Sequence, residues 1–258
     1  MDIKSCYIGP EISPEQFIPE HFFLYLAKGI VNGYDGSKNV TLSAGEYCLV
    51  RKNNLARYNK QKENDEFEKV VIMFDEPFLR EFKQKYNPIM EAFISDEIFI
   101  RLTDNKQVSK FIQSLIPHYI GSGVIDEKFA HAKREELLLI LLKIQPVLAG
   151  IFFDFGTPHK INLKEFMNQN YKFNVSIERF AFLTGRSLST FKRDFKATFN
   201  ESPNRWLIKK RLQEAHFLID KKNKKSSEIY LDLGFEDLSH FSYSFKKYFG
   251  MTPTEVNK

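Results

Sequence analysis

The chain has 258 residues, of which 43% are hydrophobic, 15% aromatic and 28% charged. This composition excludes a disordered protein and leaves room for about two domains. The net charge of +5 averages two unlike parts: residues 1–159 carry 19 Lys and Arg against 22 Asp and Glu (−3), whereas residues 160–258 carry 19 against 11 (+8). The basic part alone is therefore expected to meet a polyanion.

The cellular setting follows from what the sequence lacks. Cys6 and Cys48 are the two cysteines, too few for a disulfide framework or a typical structural zinc site. The first residues do not show a basic start followed by an apolar core, as a secretion signal would. The longest apolar run, residues 137–142, falls short of the roughly 20 residues needed to cross a bilayer. We expect a cytoplasmic protein with no membrane association and no cofactor.

The first third of the chain is predicted to form strands. The candidates are short, rich in aromatic and branched residues, and bounded by turn residues: 21–29, 40–42, 47–50 and 67–74. Residues 32–36 (NGYDG) are predicted as a turn because Gly and Asn tolerate positive φ, and residues 59–66 as a polar segment. Several short strands separated by turns predict a small barrel or sandwich.

After Pro77 the apolar spacing becomes helical. It predicts a short helix over 78–86, another over 108–119 and a longer segment over 126–153, kinked or divided at Pro146. The apolar excess at 137–142 has two compatible explanations. The helix is buried on several sides within its own domain, or one side packs against another subunit, so a homodimer through residues 108–148 is a hypothesis.

Residues 155–159 (FGTPH) have the composition of a linker, and the chain beyond them is predicted to be helical. In residues 176–199, Ser176 is predicted to cap a helix that stops at Gly185, and Ser187 to cap a second helix. Helix, glycine turn and second helix in this order are typical of a helix-turn-helix motif. Residues 228–250 repeat the order, with a stop at Gly234 and a cap at Asp237.

Both second helices have an apolar face with spacings of 3, 4 and 4 residues: Leu188, Phe191, Phe195 and Phe199, then Leu238, Phe241, Phe245 and Phe249. Between the two motifs, residues 203–219 fit an amphipathic helix of about 24 Å. Such a helix is predicted to be a rigid spacer that holds two recognition helices about 34 Å apart, one turn of DNA.

On these residues the C-terminal part resembles the AraC/XylS family of bacterial transcription regulators, over about residues 160–258. The matching positions are Ala181, Gly185, residues 187–196 (SLSTFKRDFK), Ser202, Pro203, Arg211, Leu212, Ala215, Gly234, Phe235, Ser239, Phe241, Ser242, Phe245, Lys246, Lys247, Phe249, Gly250, Thr252 and Pro253. The first 155 residues are similar to the cupin-type regulatory domain with a helical appendix that many of these regulators carry. Within them, residues 20–57 resemble the variant found in activators of type III secretion genes.

The resemblance implies an α+β protein of two domains. Residues 1–155 would form a cupin-like β-barrel or sandwich for regulation and dimerisation, with strands in 1–75 and helices in 77–153. A linker at 156–160 would lead to an all-α DNA-binding domain at 161–258, in which a long helix joins the two helix-turn-helix motifs.

The resemblance also assigns roles on double-stranded DNA. The residues expected to face bases are Ser189, Lys192, Arg193, Ser239, Ser242 and Tyr243, and those expected to face phosphates are Thr190, Lys196, His240, Lys246 and Lys247. Base contacts specify a sequence, whereas phosphate contacts only position the protein. A lone helix with such a surface would more simply be a solvated charged face, but the doubled motif favours DNA contact.

Two positions depart from the family pattern. Tyr243 stands where arginine is common, and Tyr230 where a small alanine is usual, so the first motif is expected to dominate sequence reading. Arg211 is expected to be structural, with Asp232 or Glu236 as a hypothetical ion-pair partner. The lysines of residues 221–225 form either a solvated loop or a phosphate contact.

The N-terminal part has several alternative roles. Metal-binding cupins use two histidines one residue apart, a carboxylate and a later histidine, but the strand region contains only His21, so an enzyme is not expected. A small-molecule effector site would be lined by aromatic residues (Phe23, Tyr25, Tyr34 and Tyr47), although aromatic residues of strands more often belong to the core. Control by a partner protein is the alternative.

The sequence therefore predicts a transcription regulator, an activator that works beside RNA polymerase. A DNA-binding architectural protein without effector control is the alternative, and a cupin-type enzyme a more remote one.

Overall fold

The computed structural model describes residues 4–8, 16–89, 95, 97–119 and 127–256. The chain divides into two compact units. The N-terminal unit comprises Met1–Pro14 and Ile18–Gly156, and the C-terminal unit comprises Glu15–Phe17 and Thr157–Lys258. The two larger sheets lie in the N-terminal unit, and the regular elements described between residues 163 and 255 of the C-terminal unit are helices, which confirms the α+β class.

The strands, in chain order, are β1 (Lys4–Ile8), β2 (Phe17–Ile18), β3 (His21–Lys28), β4 (Ile30–Tyr34), β5 (Asn39–Ser43), β6 (Tyr47–Val50), β7 (Asn54–Leu55), β8 (Arg57–Gln61), β9 (Glu68–Phe74) and β10 (Phe99–Arg101). One sheet has the order β1-β9-β3-β6-β10, in which β1 runs parallel to β9 and the other pairs are antiparallel. A second, antiparallel sheet has the order β5-β4-β8.

Both faces of the five-stranded sheet are buried. Because successive side chains of a strand point to opposite faces, β3 contributes to two cores. Phe22 and Leu24 join the core shared with the three-stranded sheet, whereas Phe23 packs in the core shared with the helices. Burial on both faces accounts for the almost continuous apolar sequence of β3 and β9.

The helices of the N-terminal unit are α1 (Glu76–Tyr86), α2 (Lys106–Tyr119), α3 (Glu127–Ile144) and α4 (Ala149–Phe152), with a 3₁₀ turn at Pro146–Leu148. The predicted division at Pro146 is confirmed. Leu137, Leu138 and Leu141 are buried within this unit, so burial inside the domain accounts for most of the apolar excess of α3. Leu139 remains 41% exposed.

Two predictions for the sheet region were wrong in detail. Residues 32–34, predicted as part of a turn, belong to β4, and the turn is at residues 35–38, where the Asp35 carboxylate accepts from Ser37 N and Lys38 N. Gly33 marks close packing here, since a Cβ would lie 2.8 Å from the Phe99 ring. The first part of the predicted polar segment is the edge strand β8, whose exposed end is hydrophilic.

The helices of the C-terminal unit are α5 (Leu163–Asn170), α6 (Ile177–Leu183), α7 (Leu188–Phe199), α8 (Pro203–Lys222), α9 (Ser226–Ile229) and α10 (Leu238–Phe249), followed by a 3₁₀ turn at Pro253–Glu255. The predicted caps are confirmed: the side chains of Ser176, Ser187 and Asp237 accept hydrogen bonds from backbone N–H groups. In the described parts of the chain, no helix is long and apolar enough to cross a membrane.

Candidate nucleic-acid interface

The first motif (α6 and α7) and the second motif (α9 and α10) are built on matching phenylalanine rows. Phe191 and Phe195 on α7 are fully buried, as are Phe241 and Phe245 at the same places on α10. Consecutive rings within each row lie 4.4–5.8 Å apart. The same turn-by-turn packing therefore fixes the same outward face on both helices.

Helix α8 supplies one ring to each row. The Trp206 ring lies 5.6 Å from Phe195 and 4.5 Å from Phe199. Ten residues later, His216 lies 6.2 Å from Phe245, with parallel rings, and 4.8 Å from Phe249. Because ten helical residues span about 15 Å, α8 holds the two rows at a fixed separation, which is the mechanical role of a spacer.

Both turns need glycine. Gly185 and Gly234 have φ values of +65° and +82°, which favour glycine. A Cβ on Gly185 would lie within 2.4–2.5 Å of the His159 and Lys160 backbone, and one on Gly234 would lie 2.7 Å from Lys172 O. Each turn therefore also packs so closely against a neighbouring segment that a residue with a Cβ does not fit.

Arg211 anchors the second turn from α8. Its guanidinium donates to three carbonyl oxygens, of Tyr171 (2.7 Å), Phe173 (2.8 Å) and Gly234 (2.8 Å). Burial lowers the pKa of Arg211 to about 10, a value at which the guanidinium is still charged at neutral pH. Its role is structural, as expected, but these partners are backbone carbonyls, whereas the sequence suggested Asp232 or Glu236.

The outward face of α7 is cationic. Ser189, Lys192, Arg193 and Lys196 are exposed, and Thr190 is half-buried. Thr190 is engaged locally, since its N–H donates to Ser187 Oγ (3.3 Å) and its hydroxyl accepts from the same atom (3.0 Å). The longer side chains of Lys192 and Arg193 are therefore better placed to reach beyond the helix.

The outward face of α10 is less basic at its centre. Ser239, His240, Tyr243, Lys246 and Lys247 are exposed, and Ser242 is half-buried. Tyr243 is 67% exposed, with the ammonium of Lys247 5.9 Å from its ring. His240 lies against Phe235, with ring centroids 5.8 Å apart, and its backbone N–H donates to Asp237.

The structure thus brings the predicted DNA-facing residues onto two helical faces, and it adds a carboxylate that sequence reasoning missed. Asp194, on α7, accepts a hydrogen bond from Arg186 Nε (3.1 Å). That bond, together with the charges of Lys160 and Arg193, holds the pKa of the Asp194 carboxyl below its usual value. The sequence feature that could have pointed to Asp194 is a single acidic residue within a basic run, KRDFK.

The four aromatic residues predicted to line an effector site do not converge. Phe23 and Tyr47 lie in the core shared with the helices, with rings 5.6 Å apart, and Tyr25 packs against that core. Tyr47 is also tied by its hydroxyl, which donates to Thr103 O and accepts from Asn105 N. Tyr34 belongs to the other sheet, where its hydroxyl donates to Gly36 O.

Two further side chains of the N-terminal unit, those of His21 and Cys48, are buried. Burial is the main cause that lowers the pKa of His21 to about 3, and its Nδ1 accepts from Lys52 N. Burial also raises the pKa of the Cys48 thiol to about 12, so the thiol is protonated. Among the residues that the structure describes, no group of three or more His, Cys, Asp or Glu could hold a metal ion.

Two family models match the chain. Residues 21–149 match the ExsA N-terminal regulatory domain, and residues 180–258 match a helix-turn-helix domain. The first match lies within the N-terminal unit and the second within the C-terminal unit.

Individual proteins are similar at lower identity. The virulence regulon transcriptional activator VirF of Yersinia enterocolitica is 24% identical over 237 residues, which cover 90% of this chain and 86% of that protein. The HTH-type transcriptional regulator ExsA of Pseudomonas aeruginosa is 25% identical over 261 residues, covering 98% and 91%. Among solved structures, the C-terminal domain of the response regulator yesN from Fusobacterium nucleatum is 25% identical, with a TM-score of 0.36, covering 37% of this chain and 94% of that one.

Proposed function

Because this chain belongs to the AraC/XylS family of DNA-binding transcription regulators, with an ExsA-type N-terminal regulatory domain, we propose that its two helix-turn-helix motifs enter two adjacent major grooves of one duplex. The single observation that carries this proposal is the pair of matching phenylalanine rows held by α8. They direct the outward faces of α7 and α10 by the same internal packing. The net charge of +8 over residues 160–258 supplies the attraction to phosphates.

Within this arrangement the first motif reads the sequence, and the second mainly grips the backbone. Lys192 and Arg193 donate to guanine edges, contacts worth about 1–3 kcal/mol of discrimination each when well aligned. Ser189, Ser239, Ser242 and Tyr243 contribute weaker base contacts. The phosphate contacts come from Thr190, Lys196, His240, Lys246 and Lys247.

The N-terminal unit carries the control of this activity, by a partner protein or a small molecule. The core positions of Phe23 and Tyr47 favour a partner protein, since these side chains already pack against the protein itself. The proposed division of the chain is a regulatory domain at 1–155, a linker at 156–160 and a DNA-binding domain at 161–258. As an activator, the protein would place a surface beside RNA polymerase. It would act as a homodimer through residues 108–148.

The test begins with an operator selected from a random duplex library by the full-length chain. Affinity is then measured for this operator and for a scrambled duplex, because the ratio of the two affinities isolates base reading. The double variant Lys192→Ala, Arg193→Ala is expected to lower the ratio by at least about tenfold. An unchanged ratio would show that α7 is not the reading helix.

A matched control removes the same charge elsewhere in the C-terminal unit. Lys221 and Lys224 are exposed, so the double variant Lys221→Ala, Lys224→Ala should fold normally. If these lysines contact phosphates, affinity for both duplexes falls together, and the slope of log affinity against log salt decreases by about 0.9 per lost contact. If they are solvated, neither affinity nor slope changes, and in both cases the ratio stays constant.

A further inference from the structure

The Asp194 carboxylate touches the side chain proposed to read bases. Its Oδ1 lies 3.4 Å from Arg193 Nη2, and Arg193 is otherwise 75% exposed. Its Oδ2 accepts from Arg186 Nε at 3.1 Å and lies 3.7 Å from Lys160 Nζ. A carboxylate on the DNA-facing helix repels phosphates and so lowers affinity for DNA. We therefore expect Asp194 to have a role that offsets this loss.

Arg186 holds Asp194 from a fixed position. The Arg186 side chain is only 7% exposed. Its Nη1 donates to Thr184 O (2.7 Å) and to Ile161 O (3.1 Å), while its Nε donates to Asp194. Because the guanidinium is planar and its donors point in fixed directions, bonds to the turn and to residue 161 leave little freedom for the carboxylate that it meets.

The segment of residues 159–161, where the chain enters the C-terminal unit, is packed against the same turn. Ile161 N donates to Thr184 O (3.4 Å). Gly185 approaches so closely that a Cβ would lie 2.4 Å from His159 C and 2.5 Å from Lys160 N. This entry segment is therefore connected to α7 through the Gly185 turn, through Arg186 and through the Lys160–Asp194 ion pair.

We propose that Asp194 is a positioning residue for Arg193, and that the entry segment fixes Asp194 through Arg186 and Lys160. The inference rests on the proposed base-reading role of Arg193. A guanidinium has five N–H donors, so Arg193 can bond to Asp194 and to guanine at once. Because Asp194 bonds to one side of the guanidinium, Arg193 enters the groove in one orientation, and a contact residue is most selective when its orientation is fixed in this way. The charge of Asp194 thus lowers affinity for a scrambled duplex, whereas the orientation that Asp194 gives to Arg193 raises affinity for the operator.

The test uses Asp194→Asn in the full-length chain, with the selected operator and a scrambled duplex. Removing the negative charge should leave affinity for the scrambled duplex unchanged or raise it about twofold. Affinity for the operator should fall, so that the ratio drops about tenfold. A residue that only stabilised the fold would weaken both affinities together and leave the ratio unchanged.

The same substitution is repeated in the Arg193→Ala background. If Asp194 acts through Arg193, its removal there changes the ratio by less than about twofold, since interacting residues are not additive. An equal drop in both backgrounds would overturn the inference and assign Asp194 a role independent of Arg193. If Arg193→Ala alone leaves the ratio unchanged, the proposed function of α7 fails instead. If it lowers the ratio but Asp194→Asn does not, only the present inference fails.

A second pair of variants tests the entry segment without disturbing buried contacts. The Lys160 side chain is 65% exposed, so Lys160→Ala should fold, and it is expected to lower the ratio about threefold. Lys164→Ala, which removes the same charge from an exposed position at the start of α5, should leave the ratio unchanged. Equal ratios for the two variants would remove Lys160 and the entry segment from the proposal.

Discussion

The two helix-turn-helix motifs share a scaffold but differ in what they present to solvent. Helices α7 and α10 each have 12 residues, begin at a side-chain cap and end at a left-handed residue, Asn200 or Gly250. Their outward residues diverge: where α7 has Lys192, Arg193 and Asp194, α10 has Ser242, Tyr243 and Ser244. The buried side thus fixes how each helix is held, and the exposed side is free to differ in chemistry.

The motifs also differ in what anchors their turns. The first turn is tied by Arg186 to residue 161 and to α7. The second is tied by Arg211 from α8, through Gly234 O. In the second motif the anchor does not reach the outward face, whereas in the first it ends on Asp194, beside Arg193. Only the first motif therefore connects its anchor to a predicted base contact.

The largest effect is expected where the motifs are most alike. Phe195→Ala and Phe245→Ala each remove a fully buried ring from an equivalent place. Each should lower the free energy of unfolding by about 3–5 kcal/mol, and the two losses should agree within about 1 kcal/mol. Trp206 is the single tryptophan of the chain and packs on Phe195, so denaturant titration followed by its fluorescence reports on this unit. A loss confined to one variant would show that the two rows are not equivalent.

The next effect tests whether the exposed side alone distinguishes the motifs. Tyr243→Arg places on α10 the residue that α7 has at Arg193, and should add about 1–3 kcal/mol of discrimination at the site of the second motif after reselection of the operator. Binding to the new operator and to a scrambled duplex gives the measurement.

Tyr248→Arg is the matched control, because Tyr248 is exposed on the same helix but is not a predicted base contact. It should raise both affinities without changing their ratio. If Tyr243→Arg behaves in the same way, the anchoring of the motif matters more than the side chain it presents.

The smallest effect concerns the caps. Ser187→Ala and Asp237→Ala each remove one side-chain acceptor from a helix start and should cost about 1 kcal/mol. Asp237 is expected to show the larger loss, since its charged carboxylate accepts from His240 N at 2.6 Å, against 3.3 Å for Ser187 and Thr190 N. Ser202→Ala is the control, because Ser202 precedes α8 without a side-chain cap bond. Thermal unfolding of the three variants, compared at equal concentration, gives the order of their losses in stability.

Much of the helical structure could be predicted from local signals in the sequence. The caps at Ser176, Ser187 and Asp237, the positive φ of Gly185 and Gly234 and the division of the helices at Pro146 each depend on residues within a few positions of one another. The spacing of the phenylalanines likewise determined which faces of α7 and α10 are buried, because the helical period is fixed by the backbone.

Elements that depend on distant partners were missed or misplaced. Strand β1 is added parallel to β9, more than sixty residues later, and its sequence carries little sign of this pairing. Gly33 was assigned to a turn because residues 32–36 have the composition of one. The close approach of the Phe99 ring is the reason that this position needs glycine. The carbonyl partners of Arg211 include two about forty residues away.

The sequence by itself determined that two similar motifs are present, where α6, α7 and α10 start, and that the C-terminal part is the basic one. The tertiary structure decided how each motif is anchored: α8 places Trp206 and His216 against the two rows, and Arg186 brings residue 161 to Asp194. The physical reason is range. Capping, helical period and glycine conformation act between near neighbours in the chain, whereas a buried guanidinium takes whichever carbonyl or carboxylate groups the packed chain brings within reach.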